Sequence, residues 1–123
     1  MYYLSVSDTF SAAHRLCGYE GACSNLHGHN WKVRVGLKTD QLDNIGMAMD
    51  FGRIKSILQS ILADFDHAYL NEVPALQGCN PTSENLARHI YQRFDQAIAD
   101  SGVEIHEVEI CESERSSVVY RHD

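Results

Sequence analysis

The sequence predicts a single α+β domain in which an antiparallel sheet carries two helices over one face, in the order ββααββ. Residues 2–10 and 30–39 alternate apolar and polar side chains, as half-buried strands do. Residues 51–63 and 82–98 repeat apolar side chains at helical spacing, and the C-terminal part returns to strand character. No internal repeat, low-complexity tract or linker divides residues 1–123, so we expect one domain.

The first two strands are predicted by alternation. One side of the first strand carries Tyr2, Leu4, Val6 and Phe10, and one side of the second carries Trp31, Val33, Val35 and Leu37. The other side of the second strand is charged, which is typical of a sheet with one solvent-exposed face. Residues 11–26 between them are rich in Gly, Ala, Ser and Cys, which predicts a long loop, and loops of that length tend to be functional.

Both helices have a recognisable start. Asp50 can cap the first helix, which we expect from residue 51 to about 63, with an apolar stripe of Ile54, Ile57, Leu58, Ile61 and Leu62. Thr82 or Ser83 can cap the second helix, which ends at Gly102 and turns Leu86, Ile90, Phe94 and Ile98 towards the core. Residues 64–80, between the helices, are expected to be irregular.

The C-terminal strands are predicted over residues 103–112 and 117–122. The apolar phase slips between Ile105 and Val108, which indicates a bulge or an exchange of faces. Four strands in two hairpins leave two open edges, and devices that would block them are few. We therefore expect the edges to be used for assembly.

Composition excludes several classes of function. The 123 residues carry a formal net charge of −7 with a pI near 5.4, whereas a nucleic-acid-binding module needs a basic surface. No apolar stretch approaches the roughly 20 residues of a membrane span, and the N-terminus does not resemble a signal peptide. We expect a cytoplasmic protein whose four cysteines, which include no C-x-x-C pair, are reduced thiols.

Three histidines form a candidate metal site. His27 and His29 alternate at the entrance of the second strand, so both imidazoles can face one point, with Gly28 between them. His14, after the first strand, can add a third imidazole from the neighbouring strand end. Three neutral imidazoles are a common catalytic zinc set, whereas calcium and magnesium prefer oxygen ligands. The alternative is an accidental H-x-H pattern without metal.

Four further residues are candidates for proton transfer or substrate binding. Cys23 can be a fourth zinc ligand, a base or nucleophile beside the metal, or a small buried thiol. Asp66 and His67 offer an adjacent carboxylate and imidazole, although such a pair in a loop is more often a local hydrogen-bonding device. Glu112, near the end of a strand, is either a site carboxylate or one of several solvated acids in this segment.

These residues lie in six ordered motifs that together resemble the 6-pyruvoyl-tetrahydropterin synthase family along nearly the whole chain. The motifs are SAAHRL (11–16), CSNLHGHN (23–30), GMAMDF (46–51), FDHAYLN (65–71), NPTSEN (80–85) and CES (111–113). The three-residue gap between Cys23 and His27 and the compact length resemble the bacterial 6-carboxy-tetrahydropterin synthase branch of the queuosine pathway. The family usually has Tyr where this chain has Trp31, and Thr where it has Ser113.

The resemblance implies a fold and a set of roles. The fold would be the tunnelling fold, whose subunits close their sheets into a shared barrel, here as trimers paired into a homohexamer. Zn²⁺ would be held by His14, His27 and His29, with Cys23 as the proton acceptor. His67 and Asp66 would form a proton relay, and Glu112 would anchor the pterin ring and join that relay.

The resemblance also implies a reaction. Dihydroneopterin triphosphate would lose triphosphate, and cleavage of a carbon–carbon bond would release acetaldehyde and leave 6-carboxy-tetrahydropterin. Arg15, Lys32 and Arg34 are candidates for the phosphates, or ordinary surface charges. The alternatives are the pyruvoyl-forming synthase, which eliminates triphosphate without cleaving the side chain, and a non-catalytic pterin- or metal-binding protein. A cupin-type metal barrel also uses H-x-H but is nearly all strand, which the two helical stripes disfavour.

Overall fold

The computed structural model describes residues 1–18 and 25–123, and it has the predicted α+β architecture. Seven main elements follow in order: β1 (Tyr2–His14), β2 (His27–Thr39), α1 (Phe51–Leu62), β3 (Ala68–Tyr69), α2 (Ser83–Ala97), β4 (Glu104–Ser113) and β5 (Ser116–Tyr120). Two short 3-10 turns, Leu70–Glu72 and Pro74–Leu76, connect β3 to α2. None of the described helices has the length and apolar character needed to cross a membrane.

The strands form one sheet in the order β3-β1-β2-β4-β5. β1, β2, β4 and β5 pair antiparallel, as the alternation predicted. β3 is an addition that the sequence analysis missed, since residues 64–80 were expected to be irregular. It is only two residues long and pairs parallel with β1 at Ala12 and Ala13, so it is too short for any alternation to show.

The first hairpin is longer than predicted. β1 and β2 stay in continuous register from Tyr2 opposite Thr39 to His14 opposite His27. Residues 11–14 therefore belong to β1, so the predicted loop 11–26 was wrong over its first four residues, and β2 begins at His27 rather than at residue 30. Small residues such as Ala12 and Ala13 give little alternation, but their backbone groups pair across the hairpin all the same.

The helices begin where the capping residues predicted. The Asp50 side chain accepts from the backbone N–H of Gly52, and Thr82, not Ser83, caps α2 by accepting from Asn85. α2 ends at Ala97, earlier than expected, and Gly102 instead occupies the turn before β4 with φ of 79°. Such a left-handed conformation suits glycine because it has no Cβ.

Both helices pack on the same face of the sheet. α1 lies against β1, and α2 lies against β4 and β5. The predicted apolar stripes are buried there except for Ile57, which is partly buried. Trp31 and Phe65 are buried with them, while Tyr2 is half exposed at its strand end. The predicted slip in β4 is a bulge: Gly36 pairs with Glu107 but Leu37 pairs with Ile105, so that both Ile105 and Val108 reach the core.

Candidate active site

The paired ends of β1 and β2 bring three histidines together. His14 lies directly opposite His27, and His29 lies opposite Ala12 two positions along, so all three rings share the helix-covered face. One ligand nitrogen from each ring lies within 4.8 Å of the other two. The ring centroids are 4.5 Å apart for His14 and His27, 5.2 Å for His14 and His29, and 4.8 Å for His27 and His29.

Backbone carbonyls orient two of these rings. His14 Nδ1–H donates to Pro81 O over 2.7 Å, and His27 Nδ1–H donates to Asn25 O over 2.7 Å. With the proton on Nδ1, the lone pair of each ring lies on Nε2, which is the arrangement that metal-binding histidines usually have. Neither carbonyl could be predicted from the sequence, because a pattern of side chains carries no direct signal of a backbone acceptor.

The cluster is chemically suited to a metal ion. Among the described residues, His14 Nε2 and His29 Nε2 are buried and have no hydrogen-bond partner. Burial lowers the pKa of His14, and it also lowers the pKa of His29, so both rings favour the neutral form that ligates metals. A buried nitrogen without a partner is costly in free energy, and coordination would remove that cost. The donor set, three imidazoles, fits zinc.

Trp31 forms the floor of the cluster. Its fully buried indole meets the His14 ring edge-on at 4.9 Å and the His29 ring at 5.1 Å, between centroids. The indole N–H donates to Ala12 O over 3.2 Å, and the ring stacks on Phe10 at 5.7 Å. The position at which the chain departs from the usual Tyr thus lies directly against two of the candidate ligands.

Glu112 lies beside the histidines at the end of β4. Its Oε2 is 4.0 Å from His29 Nε2, and its Oε1 accepts from the hydroxyl of Ser83 over 2.8 Å. Ser83 is buried and is the first residue of α2, where the helix dipole favours a negative charge. The contact of Ser83 with Glu112 was not predicted, because the sequence indicated Ser83 only as a possible helix cap.

Asp66 and His67 are tied to β1 rather than to the histidine cluster. Ser11 N–H donates to Asp66 Oδ1 over 2.9 Å, and His67 N–H donates to Ser11 O over 2.6 Å. The Ser11 hydrogen bond, more than the nearby His67, lowers the pKa of Asp66. His67 Nδ1 lies 3.1 Å from Asp66 Oδ1, yet the His67 side chain is 82% exposed. Within the described ranges, no hydrogen bond or ion pair joins this pair to the three histidines.

The remaining candidate site residues, Cys23, Arg34 and Lys32, differ in their surroundings. Cys23 lies outside the described residues. Arg34 is committed to ion pairs with Glu107 at 3.6 Å and Glu109 at 3.3 Å on the open face of the sheet, which favours its interpretation as a structural charge. Lys32 instead lines a cleft of about 630 Å³ that also contains His29 and Glu112. One cleft therefore connects the candidate metal site with the candidate ring anchor.

Comparison with known proteins identifies the family. The family model described as 6-pyruvoyl tetrahydropterin synthase matches residues 3–123. A 6-carboxy-5,6,7,8-tetrahydropterin synthase from Synechocystis is 36% identical over 117 residues, covering 91% of this chain and 87% of the relative. A 6-pyruvoyl tetrahydrobiopterin synthase from Dictyostelium discoideum is 35% identical over 130 residues, covering 96% and 94%.

The solved structures agree with the sequence relatives. The 6-pyruvoyl tetrahydropterin synthase of Caenorhabditis elegans superimposes with a TM-score of 0.87 at 26% identity, covering 99% of this chain and 96% of that one. This likeness confirms the predicted tunnelling fold of the subunit. With the family model matched from residue 3 to residue 123, the chain belongs to the 6-pyruvoyl tetrahydropterin synthase family.

Proposed function

We propose that this chain is a zinc-dependent 6-carboxy-tetrahydropterin synthase of queuosine biosynthesis. It would convert dihydroneopterin triphosphate and one water to 6-carboxy-tetrahydropterin, with release of acetaldehyde and triphosphate. The observation that carries the proposal is the three-histidine cluster, whose member His29 lines one cleft together with Glu112. Relatives that bear the 6-carboxy name, such as the Synechocystis protein at 36% identity, support this branch of the family.

His14, His27 and His29 are the proposed zinc ligands. Their contribution is to present neutral nitrogens from rings that carbonyl hydrogen bonds and Trp31 already hold in place. Zinc, when bound, would supply a Lewis acid for the hydroxyl and carbonyl oxygens of the substrate side chain. No other cofactor is part of the proposal.

Glu112 is the proposed anchor of the pterin ring. A carboxylate can accept two parallel N–H bonds from the aminopyrimidinone edge, as it does from a guanidinium. Ser83 holds one carboxylate oxygen at 2.8 Å, which restricts the rotation of Glu112 before the substrate arrives. The cost of ordering this side chain is thus met in the fold rather than during binding.

Proton transfer is assigned to Cys23, Asp66 and His67. Cys23 as a thiolate would remove a carbon-bound proton, and a cation nearby lowers a thiol pKa into a usable range. The Asp66 carboxylate accepts from Ser11 and is in position to orient the His67 ring. A reduced cysteine is consistent with a cytoplasmic location for this reaction.

The exposed relay favours a site shared between subunits. His67 faces solvent in the single chain, and β3 covers the outer edge of β1 only at Ala12 and Ala13. At the other end of the described sheet, β5 has a strand partner on one side only. The proposed assembly is a homohexamer, a dimer of trimers, in which strand addition at these edges brings His67 to the histidine cluster of a neighbour.

The pyruvoyl-forming reaction is the alternative, because the Dictyostelium relative that bears that name is 35% identical over 96% of this chain. Incubating the purified zinc-loaded protein with dihydroneopterin triphosphate and analysing the products by mass separates the two. The proposal expects 6-carboxy-tetrahydropterin and one acetaldehyde per turnover, with neither from a Glu112→Ala control. A pyruvoyl product without acetaldehyde would favour the alternative. Zinc and pterin binding without turnover would indicate a binding protein.

A further inference from the structure

Two asparagine side chains act on the backbone just after His14. Asn71 Oδ1 accepts from Arg15 N–H over 2.8 Å, and Asn71 Nδ2 donates to Arg15 O over 2.8 Å. Asn80 repeats the arrangement on Cys17, with Oδ1 accepting from N–H over 2.9 Å and Nδ2 donating to the carbonyl over 2.7 Å. Each amide satisfies both polar groups of one residue, as a strand partner would.

The described pairing of β1 with β2 ends at this point. β2 begins at His27, opposite His14, and within the described residues its strand register does not extend to residues 15–17. A β-strand residue leaves a donor and an acceptor on the same side, and a primary amide matches that spacing with its own oxygen and nitrogen. The two asparagines therefore continue the hydrogen bonding of β1 beyond its last paired residue.

The backbone segments that carry the two amides are themselves held. Gln77 Nε2 donates to the backbone carbonyl of Asn71 over 3.0 Å and to that of Val73 over 3.1 Å, which fixes the 3-10 turn that contains Asn71. Asn85 Nδ2, from the first turn of α2, donates to Asn80 O over 2.8 Å. The segment that carries Asn71 and Asn80 is thus tied to the helix rather than only to the strand end.

We infer that Asn71 and Asn80 are positioning residues for His14. Pro81 O, which holds the His14 ring, follows Asn80 directly in the chain, so ring and backbone are fixed by the same segment. Removing either amide removes the two hydrogen bonds that it makes to the backbone of Arg15 or Cys17, and it releases the strand end that aims His14 at the other two rings. The inference uses the proposed function only where it takes His14 as a zinc ligand.

The test uses Asn71→Ala and Asn80→Ala, with Asn44→Ala as the matched control because Asn44 is exposed in the turn after β2. In the metal-free full chain, Asn71→Ala should accelerate hydrogen exchange of the Arg15 amide about tenfold, and Asn80→Ala that of the Cys17 amide. Both variants should weaken or shift the nuclear magnetic resonance signal of the His14 Nδ1–H proton. The Asn44 control should change neither signal.

Zinc affinity, measured by chelator competition, supplies a separate readout. The two variants should bind zinc about 10- to 100-fold more weakly than the wild type, as loss of groups that orient metal ligands typically does. If an alanine variant does not fold, the Asn→Asp variant at the same position keeps the acceptor for the backbone N–H and loses only the donor to the backbone carbonyl. The effect of losing that one hydrogen bond can then still be measured. Unchanged His14 and amide signals in both variants would overturn the inference. A wild type that binds no zinc but shows the expected signals would overturn only the proposed function.

Discussion

The His14 ring donates to the backbone carbonyl of Pro81 across 2.7 Å, and Pro81 immediately precedes Thr82, the cap of α2. Ser83, the next residue, donates to Glu112. The start of one helix therefore orients both a candidate metal ligand and the candidate ring anchor. Because the same helix start holds both side chains, His14 on β1 and Glu112 on β4 keep a fixed position relative to each other.

Removing the Ser83 hydroxyl should weaken substrate binding. Ser83→Ala leaves Glu112 Oε1 without its donor, and hydrogen bonds to charged groups contribute about 1.5–3 kcal/mol. We expect KM to rise on the order of tenfold or more, with zinc content unchanged and Ser83→Thr restoring the wild-type KM. Ser60→Ala, on the exposed side of α1, is the control. A wild-type KM in Ser83→Ala would show that Glu112 does not depend on Ser83.

His67 should behave unusually when replaced by glycine. It has φ of 57°, in the left-handed region that costs a side-chain-bearing residue about 1–2 kcal/mol. Both His67→Gly and His67→Ala should lose turnover, but the glycine variant should be the more stable by about 1 kcal/mol in denaturant unfolding. At Lys55, exposed within α1, the order should reverse, with alanine the more stable. If the glycine and alanine variants had the same order of stability at both positions, the left-handed conformation of His67 would be contradicted.

The stability of the folded protein should decrease as the pH decreases, and part of this decrease should come from protonation of His89. Burial, followed by the nearby Arg93, lowers the pKa of His89 from its ordinary value of 6.5, and its buried Nε2 has no hydrogen-bond partner in the part of the chain that the structure describes. Below pH 6.5 the unfolded chain gains a proton that the folded chain resists, so stability decreases until the pH reaches the lowered pKa.

Urea unfolding of the metal-free protein at about pH 7.5 and 5.5 measures this contribution. The loss of stability between the two values should be smaller in His89→Gln than in the wild type. The exposed His122, replaced by Gln, should leave the loss unchanged. An identical loss in His89→Gln and wild type would show that His89 does not resist protonation.

A shared active site predicts complementation between two inactive variants. Cys23→Ala and His67→Ala subunits should each lack turnover, and a mixture reassembled after mild dissociation should recover roughly a quarter of the sites by random pairing. The Cys23→Ala protein should retain its zinc, because three histidines hold the metal in this account. No recovery in a mixed oligomer would place Cys23 and His67 in the same subunit's site.

The sequence predicted the elements better than their ends. Helix starts were visible because Asp50 and Thr82 are capping residues, and the β4 bulge was visible because Ile105 and Val108 break the alternation. The extension of β1 to His14 was not visible in the sequence, because it depends on backbone pairing among small residues. β3 was not visible because two residues are too few for any alternation to show.

In the candidate site, too, one part could be predicted from the sequence and another part could not. Alternation at the hairpin was enough to predict that His14, His27 and His29 converge, because a strand fixes the face of every second side chain. The supporting contacts came from tertiary structure: a carbonyl at Pro81, a hydroxyl at Ser83 and an amide at Asn71. None of these has a local periodicity that a sequence pattern could report.

The central claim is that the three histidines form the zinc centre of a catalytic site. The most direct measurement is turnover, followed as acetaldehyde release, while zinc is removed by a chelator and then returned in known amounts. The account predicts negligible turnover in the zinc-free protein and a linear recovery that saturates at about one zinc per chain, with no recovery in His29→Ala. Full turnover without zinc, or full zinc occupancy and turnover in His29→Ala, would contradict it.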